Sequence, residues 1–242
     1  MGKIKTVLIT GGNKGIGFAT AKLFAENGYN VILAGRNKEH LKNAVESIGK
    51  EKCSYVLWNC GKVDDIEPAI KSAHSIFGNI DIFVNNAGIV TDDIFTKSFF
   101  EKEEEPWDEI MNVNLKGVFF AVQKEAKYML EHNIKGNIVN VCSEMGFRGA
   151  CDAYAVSKWG VRGLTEGLGK LLAEHSIVLN GIAPGETATE IIKQKEGEIK
   201  KIDSPRGIQA SPREIAEGIY FLARSRNIIG ETLISDGGRR IK

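Results

Sequence analysis

The sequence has almost no net charge, few prolines and few cysteines, and each shortage excludes a class of protein. Among 242 residues, 32 are Lys or Arg and 31 are Asp or Glu, so the formal charge is +1. No net field therefore attracts the chain to nucleic acid or to an anionic membrane. The 5 prolines form no Pro-rich linker. The 4 cysteines include no C-x-x-C pair, so we expect reduced thiols and no metal site.

Long apolar runs are also missing. No stretch reaches the roughly 18 apolar residues that a membrane-spanning helix needs. The apolar start of the chain stops at Thr10, Gly11 and Gly12, which is too early for a signal sequence. We therefore expect a cytoplasmic protein without a membrane partner. The charges of Arg239, Arg240 and Lys242 at the C-terminus are too few to predict nucleic-acid binding.

Glycine, in contrast, is abundant at 27 residues, and short β-branched runs alternate with segments of helical period. This alternation is typical of an α/β protein with a doubly wound parallel sheet and helices on both faces. No repeat or linker divides the chain, so we predict a single domain over residues 1–242. The predicted strands are Thr6–Ile9, Asn30–Ala34, Ser54–Trp58, Ile80–Val84, Asn137–Val141, Val178–Ile182 and Thr232–Ile234. The predicted helices are Gly15–Asn27, Lys38–Ile48, Asp65–Phe77, Trp107–His132, Ala155–Glu174 and Pro212–Arg224, the last with a capping box from Ser211 to Glu214.

A glycine-rich loop follows the first predicted strand and precedes a helix. Its glycines, Gly11, Gly15 and Gly17, permit a tight turn and a close approach of the backbone to a pyrophosphate. Amides at the helix N-terminus then meet the negative charge. The spacing T-G-x-x-x-G-x-G differs from the G-x-G-x-x-G of ordinary Rossmann dehydrogenases. The alternative is a turn with a packing role only.

The end of the second predicted strand indicates which dinucleotide binds. An acidic residue there would bind the ribose hydroxyls of NAD, but this chain has Gly35 followed by Arg36. Arg36 can form a forked contact with a 2′-phosphate, and Lys14 can add a second positive charge. We therefore expect NADP(H) as the cofactor. The alternative is that both are solvated surface charges.

A second group of polar residues carries acid–base chemistry. Tyr154 and Lys158 are four residues apart, which places the phenol and the ammonium on one helical face. Ser143 follows the fifth predicted strand, at the edge where open α/β sheets bind ligands. Asn114 lies in the helix that precedes this strand. A Tyr/Lys pair that only packs and solvates is the alternative.

Together these motifs, with Asn86-Ala87-Gly88 after strand four and Pro184-Gly185 after strand six, resemble the short-chain dehydrogenase/reductase family. The resemblance implies a single-domain Rossmann fold with strand order 3-2-1-4-5-6-7. It also implies catalytic Ser143, Tyr154, Lys158 and Asn114, and assembly as a homotetramer or homodimer. The cofactor residues that the motifs and the resemblance indicate are Gly11, Asn13, Lys14, Gly15, Ile16, Gly17, Arg36, Asn59, Cys60, Asn86, Ala87, Gly88, Tyr154, Lys158, Pro184, Gly185, Thr187 and Thr189.

The residue types suit hydride chemistry on a carbonyl or a secondary alcohol. A phenol with a pKa near 10 is protonated at neutral pH, so Tyr154 can act as general acid. Lys158 is expected to lower that pKa and to hold the nicotinamide ribose, and Ser143 to donate to the substrate oxygen. The resemblance implies that Asn114 holds a water in a proton relay to Lys158.

Two departures from the family pattern concern the substrate. Ser143 and Tyr154 are about two residues closer than usual, which alters the pocket wall. Residues 91–106 form a segment that is a few residues longer than is usual in the family. We expect its Phe99 and Phe100 to pack beneath the segment or to line the mouth of the pocket. Residues 186–210 are predicted to form a lid of mixed charge, which includes Lys193, Lys195 and Glu196. The candidate substrate residues are Ser143, Glu144, Met145, Tyr154 and Glu186, and Glu144 alternatively points to solvent.

The family resemblance does not fix the substrate. Many bacterial members reduce 3-oxoacyl groups on acyl carrier protein and grip this acidic carrier with two arginines. The matching positions here hold Ile134 and His175, with Lys135 as a neighbouring substitute, which weakens a carrier-bound substrate. A small ketone, a sugar or a steroid remains an alternative substrate. A cofactor-binding regulator without catalysis is the alternative from another functional class.

Overall fold

A seven-stranded sheet forms the centre of the protein. The computed structural model describes residues 4–192 and 198–241. The strands are β1 (Thr6–Thr10), β2 (Asn30–Gly35), β3 (Cys53–Leu57), β4 (Ile82–Asn85), β5 (Asn137–Val141), β6 (Val178–Pro184) and β7 (Thr232–Ser235). Every neighbouring pair is parallel, and the order is β3-β2-β1-β4-β5-β6-β7. The predicted fold class and strand order are confirmed. The bounds of the strands differ from the predicted bounds by one or two residues, except for β5, whose bounds match.

The strands form because their apolar side chains are buried on both faces of the sheet. In β1, Val7 and Ile9 point to one face and Leu8 to the other, and all three are fully buried. Successive side chains of a strand alternate between faces, so a continuous apolar run suits a sheet covered on both sides. This burial explains why short runs without polar alternation give strands here.

Two layers of helices cover these faces. The helices are α1 (Gly15–Glu26), α2 (Lys38–Ile48), α3 (Val63–Phe77), α4 (Asp93–Thr96), α5 (Glu104–Met111), α6 (Gly117–Glu131), α7 (Ala153–Ala173) and α8 (Pro212–Leu222). Phe24 of α1, Leu41 of α2 and Ile219 of α8 pack in the core with Val7 and Ile9. The opposite core contains side chains of α3, α6 and α7. No helix among the described residues combines the length and apolar character needed to cross a bilayer.

The capping box at the start of α8 is confirmed. The Ser211 hydroxyl accepts from the Glu214 amide at 3.3 Å, and the Glu214 carboxylate accepts from the Ser211 amide at 2.8 Å. Two backbone donors that a helix N-terminus leaves without partners are thereby satisfied. Pro212 occupies the first turn, where no N–H is needed.

The predicted helix Trp107–His132 is interrupted in the structure. α5 begins earlier, at Glu104, and a π-helical turn over Asn112–Lys116 separates it from α6. Gly117 lies so close to the loop after β3 that a Cβ there would be 2.1 Å from the Cys60 carbonyl oxygen. Helical periodicity alone does not distinguish such a π-turn from a regular helix, and π-turns are frequent at functional sites.

One buried hydroxyl joins the end of β1 to the segment after β4. Thr10 Oγ1 accepts from the backbone amides of Asn86 and Ala87, each at 2.9 Å. The Asn86 side chain donates to the Thr10 carbonyl oxygen at 2.8 Å. These bonds fix the spacing between the glycine loop and the segment after β4 that carries Asn86.

We expect Thr10→Val to lower the free energy of unfolding by roughly 2–4 kcal/mol, because the isosteric valine leaves two backbone amides without their acceptor. Urea unfolding followed by circular dichroism measures this change. Thr20→Val is the matched control. Thr20 is equally buried, but its hydroxyl donates only to the Ile16 carbonyl oxygen of its own helix. Equal losses for the two variants would contradict the bracing role of Thr10.

Candidate active site

A cavity of about 760 Å³ lies where the strands β1 to β6 end. Ser143, Tyr154 and Lys158 line it, as do the candidate substrate residues Glu144, Met145 and Glu186. Gly17 and Asn114 do not line it. The predicted cofactor residues that line it are Gly11, Asn13, Lys14, Gly15, Ile16, Arg36, Asn59, Cys60, Asn86, Ala87, Gly88, Tyr154, Lys158, Pro184, Gly185, Thr187 and Thr189.

The glycine loop provides a cradle for an anion at one wall of the cavity. Gly11 and Gly15 have φ angles of 64° and 53°, a region that favours glycine. A Cβ on Gly17 would lie 2.3 Å from the Gly11 carbonyl oxygen, so only glycine permits this packing. α1 begins at Gly15 with no side-chain cap from Lys14 and no acid in its first turn. Its N-terminus can therefore receive a pyrophosphate, and the residues present fit a dinucleotide.

Two cationic side chains border the same end of the cavity. Arg36 is exposed after β2, where Gly35 takes the place of a carboxylate. Lys14 Nζ lies 2.9 Å from Glu190 Oε2, a contact that the sequence did not predict, and both side chains are more than half exposed. Such an exposed pair is weak and readily screened by salt. Lys14 can therefore exchange this carboxylate for a bound phosphate.

Cys60 and Asn59 line the cavity beside Arg36. Burial raises the pKa of the Cys60 thiol to about 12, and the charge of Arg36 only partly opposes this. The group is therefore a neutral thiol at physiological pH. The Asn59 side chain accepts from the Gly61 amide at 3.2 Å, which orders the loop after β3.

Asn114 lies behind the cavity in the π-turn and is completely buried. Its amide side chain accepts from the Ile89 amide and donates to the Ile89 carbonyl oxygen, both at 2.8 Å. A Cβ on Gly88 would lie 3.5 Å from Asn114 Oδ1 and 3.6 Å from Lys158 Nζ, so the three residues are adjacent. The side chain of Asn114 thus holds the segment after β4. A relay role through this side chain stays a prediction.

Ser143 and Tyr154 form the polar centre of the cavity. Ser143 lies at the end of β5 and precedes a 3₁₀ turn over Glu144–Phe147, and its Oγ accepts from the Met145 amide at 3.2 Å. Tyr154 lies in the first turn of α7, which the Asp152 side chain caps by accepting from the Ala155 amide at 2.8 Å. The Ser143 hydroxyl lies near the Tyr154 phenol and acts to lower the phenol's pKa.

The expected lowering of the Tyr154 pKa is not found in this structure. Burial raises the pKa of Tyr154 to about 12, and the Ser143 hydroxyl opposes this only in part. The Tyr154 ring remains partly accessible along the cavity, but the surrounding protein removes water from its phenol, and desolvation disfavours the charged form. Lys158 Nζ lies 5.6 Å from the ring centroid. The Tyr154 phenol is therefore neutral at physiological pH.

Lys158 is buried one turn of α7 after Tyr154. Its Nζ donates to the Val141 carbonyl oxygen at 3.0 Å, at the end of β5. Burial lowers the pKa of the Lys158 ammonium. A buried cation beside the phenol lowers the cost of forming a phenolate there.

Glu144 lines the cavity and does not point to solvent. Its side chain is only 6% exposed, and each carboxylate oxygen binds an arginine: Oε2 lies 2.9 Å from Arg148 Nη2, and Oε1 lies 2.9 Å from Arg239 Nη1. Burial raises the pKa of the Glu144 carboxyl, and the two guanidinium groups oppose that rise. Arg239 also binds Glu186 Oε1 at 2.6 Å.

Arg239 and Arg148 are two residues of this site that the sequence did not predict. In the sequence, Arg239 and Arg240 stand out only as terminal charges too few to predict nucleic-acid binding, but both Arg239 and Arg148 line the cavity. Gly237 and Gly238, with φ angles of 65° and 83°, turn the chain back toward the cavity. This glycine pair before an arginine was the available signal in the sequence.

Pro184, Gly185, Thr187 and Thr189 lie on the wall formed by β6 and the segment after it. The Thr187 hydroxyl donates to the Gly185 carbonyl oxygen at 3.0 Å, and Thr189 donates to the Thr187 carbonyl oxygen at 3.3 Å. Both threonine side chains are buried. The predicted lid begins here, and its residues 193–197, with Lys193, Lys195 and Glu196, lie outside the described residues.

The expectation for the two phenylalanines of segment 91–106 is wrong. Phe99 and Phe100 are 66% and 94% exposed and do not line the cavity. They begin a 3₁₀ turn in which the Ser98 hydroxyl donates to the Glu101 carboxylate, and this cap holds the turn on the surface. Ile94 and Phe95 line the cavity instead, because α4 lies nearer to it.

No group of three or more His, Cys, Asp or Glu residues in the described ranges is arranged to hold a metal ion. All four cysteines are free thiols. Hydroxyl, ammonium, carboxylate, guanidinium, amide and thiol groups line the cavity.

Comparison with known proteins finds similar chains of nearly the same length. The 3-oxoacyl-[acyl-carrier-protein] reductase of Thermotoga maritima is 39% identical over 97% of this chain and 97% of its own. The protein of the same name from Staphylococcus aureus is 34% identical, with the same coverage of both chains. A solved variant of actinorhodin polyketide ketoreductase with NADPH is 26% identical, covers 99% of this chain and 98% of its own, and superposes with a TM-score of 0.86.

The short chain dehydrogenase family matches residues 5–200 of this sequence. This range contains the glycine loop, Asn114, Ser143, Tyr154, Lys158 and the start of the predicted lid. With the parallel sheet, the cradle at α1 and the full-length relatives, the match leads to one conclusion: the chain belongs to the short-chain dehydrogenase/reductase family of oxidoreductases.

Proposed function

We propose that this chain is an NADPH-dependent reductase of 3-oxoacyl thioesters, which converts the C3 ketone to a hydroxyl group. The observation that carries the proposal is that Ser143, Tyr154 and Lys158 share one cavity with the glycine cradle. The names of the full-length relatives support the substrate class. Reduction adds a hydride to the carbonyl carbon and a proton to its oxygen, and the bound reduced nicotinamide supplies the hydride.

Tyr154 delivers the proton to the ketone oxygen. Its pKa of about 12 keeps Oη protonated before the reaction. Ser143 donates to the same substrate oxygen as negative charge develops there, which is a contact of the oxyanion-hole type. Lys158 holds the nicotinamide ribose from its buried position and stabilises the phenolate that remains on Tyr154 after proton transfer. Asn114 keeps the segment beside Lys158 in place through Ile89.

Preference for NADPH over NADH rests on Arg36 and Lys14. Both line the cavity on the side where the second strand ends, and no carboxylate occupies the position of Gly35. A guanidinium group binds a phosphate through two parallel N–H donors, which is stronger than a neutral hydrogen bond. The 2′-phosphate that distinguishes NADPH from NADH is the ligand that fits these two cations.

The acyl group of the substrate can be attached either to coenzyme A or to an acyl carrier protein. Ile134, at one position where related enzymes carry a carrier-binding arginine, is 9% exposed and packs in the core. His175 and Lys135 are exposed, but they provide no planar guanidinium fork. We therefore propose activity on coenzyme A thioesters as well as on carrier thioesters.

This substrate assignment is tested by the oxidation of NADPH, followed at 340 nm, with a panel of carbonyl compounds. We expect turnover with acetoacetyl-coenzyme A that exceeds turnover with small ketones, sugars and steroid ketones by at least about tenfold, because binding energy from the thioester portion adds to that from the ketone. Higher turnover with another class would replace the substrate assignment. Silence on every carbonyl would favour a cofactor-binding regulator.

Tyr154→Phe is expected to lower kcat by roughly 10²–10⁴-fold, because it removes the proton donor while keeping the ring. The dissociation constant for NADPH, measured by the fluorescence of the bound nucleotide, should stay within about twofold of wild type since the cradle is untouched. Tyr128→Phe on α6 serves as the control, because Tyr128 stacks on His74 away from the cavity. Substantial residual turnover in Tyr154→Phe would refute the acid role.

Arg36→Asp is expected to lower the ratio of kcat/KM with NADPH to kcat/KM with NADH by at least about tenfold. It removes the charge-assisted bond to the 2′-phosphate and places a repelling carboxylate there. Steady-state kinetics with both nucleotides provide the ratio. Arg226→Asp is the control, because Arg226 lies outside this cavity and donates to the Lys135 carbonyl oxygen. An unchanged ratio in Arg36→Asp would overturn the assignment of NADP(H).

A further inference from the structure

One guanidinium group joins two walls of the cavity. Arg239 Nη1 lies 2.9 Å from Glu144 Oε1 and 2.6 Å from Glu186 Oε1. Glu144 belongs to the turn after β5, and Glu186 belongs to the segment after β6. The Arg239 side chain is 27% exposed, so water screens these contacts only in part. A residue of the C-terminal segment thus connects two segments that border the substrate.

Backbone geometry keeps Arg239 in this place. The Asp236 carboxylate accepts from the Gly238 amide at 2.9 Å and from the Arg240 amide at 3.0 Å, which closes a tight turn around Arg239. Gly237 and Gly238 adopt left-handed φ angles in this turn. The turn therefore fixes the backbone position from which the Arg239 side chain reaches its partners.

The first partner, Glu144, immediately follows Ser143. A carboxylate that is only 6% exposed is costly unless its oxygens are paired, and here Arg148 and Arg239 take one oxygen each. Glu144 shares its 3₁₀ turn with Met145, whose amide donates to Ser143 Oγ. A change in the position of Glu144 therefore moves the turn that orients the Ser143 hydroxyl.

The second partner, Glu186, immediately follows Gly185, whose backbone lies against the same C-terminal segment. The Gly185 amide donates to the Ser235 carbonyl oxygen at 2.9 Å, and a Cβ on Gly185 would lie 2.8 Å from the Asp236 Cα. The Glu186 carbonyl oxygen accepts from the Ala210 amide at 3.0 Å. Arg239 thus adds a charged contact at the point where the predicted lid leaves the sheet.

We propose that Arg239 is a positioning residue, which holds the turn that carries Ser143 against the segment that begins at Gly185. It acts through Glu144 and Glu186. The inference rests on the proposed function for its catalytic consequence, because Ser143 is there the donor to the substrate oxygen. Misplacement of a catalytic group by about 1 Å can cost roughly 10²-fold in rate.

The test compares Arg239→Met, which keeps the length of the side chain and removes its charge, with Arg239→Lys, which keeps the charge. For Arg239→Met we expect kcat with acetoacetyl-coenzyme A to fall roughly 10- to 100-fold, with the dissociation constant for NADPH within about twofold of wild type. Arg239→Lys should retain kcat within about fivefold, since one ammonium can contact both carboxylates. The control is Arg226→Met, at an exposed arginine outside the cavity.

A double variant separates the charge contact from packing. In Arg239→Met, the buried Glu144 carboxylate loses one of the two arginines that pair with it. In the double variant, which carries Glu144→Gln as well as Arg239→Met, no unpaired carboxylate oxygen is buried. We expect the double variant to recover at least about threefold in kcat over Arg239→Met. No recovery, together with an equal loss in Arg239→Lys, would show that Arg239 acts by packing alone and would overturn the proposal.

Hydrogen–deuterium exchange tests the same proposal without turnover. In Arg239→Met, peptides that contain residues 143–148 and 185–189 should exchange faster than in wild type, and in Arg226→Met they should not. Unchanged exchange in both peptides, or a kcat within twofold of wild type, would overturn the positioning role. Wild-type protein that is silent on every carbonyl would contradict the proposed function instead, and the exchange rates would still decide the role of Arg239.

Discussion

All seven strands run parallel, and this alignment decides where the polar residues of the site meet. Because neighbouring strands run in the same direction, the carboxyl ends of β1 to β6 share one edge, and the chain returns to that edge once in every β–α unit. Gly11, Arg36, Asn86, Ser143 and Gly185, far apart in sequence, thereby line one cavity. The Thr10 hydroxyl fixes the spacing of two of these ends. The site is thus a consequence of topology refined by a few buried hydrogen bonds.

Charge in this protein acts locally. The formal charge of the chain is +1, yet the cavity contains a cationic end at Arg36 and Lys14 and a mixed end at Glu144, Glu186 and Arg239. At the cationic end, the exposed Glu190 carboxylate contacts Lys14, and a phosphate can displace it. At the mixed end, the buried Glu144 carboxylate and the partly exposed side chains of Glu186 and Arg239 pair with one another, so their charges hold backbone segments in place. Between the two ends, burial keeps the Tyr154 phenol neutral.

The sequence predicted those features that depend on local pattern. Apolar runs identified the strands, Ser211 and Glu214 marked the start of α8, and the spacing of Tyr154 and Lys158 placed both residues on one helix. Family resemblance supplied the strand order, and the structure confirmed it. The assignment of NADP(H) and the catalytic roles remain predictions that the structure makes geometrically consistent.

Features that depend on contacts distant in sequence were missed. The π-turn arises where Gly117 meets the Cys60 carbonyl oxygen, and periodicity carries no trace of that contact. The burial of Glu144 depends on an arginine 95 residues later, which a reading of neighbouring positions does not connect. Phe99 and Phe100 were expected to pack because they are apolar, but the surface turn at Ser98 and Glu101 keeps both exposed.

We propose that the protein transfers a hydride from NADPH, bound in the cavity, to C3 of a 3-oxoacyl thioester. The most direct measurement uses NADPH that carries deuterium at the transferable position of the nicotinamide, with mass spectrometry of the product from acetoacetyl-coenzyme A. We expect a 3-hydroxyacyl product with deuterium at C3 when the label occupies the face of the nicotinamide ring from which transfer occurs, in an amount equal to the NADPH consumed. Reduction without deuterium at C3 from either face, or no reduction of the thioester, would contradict it.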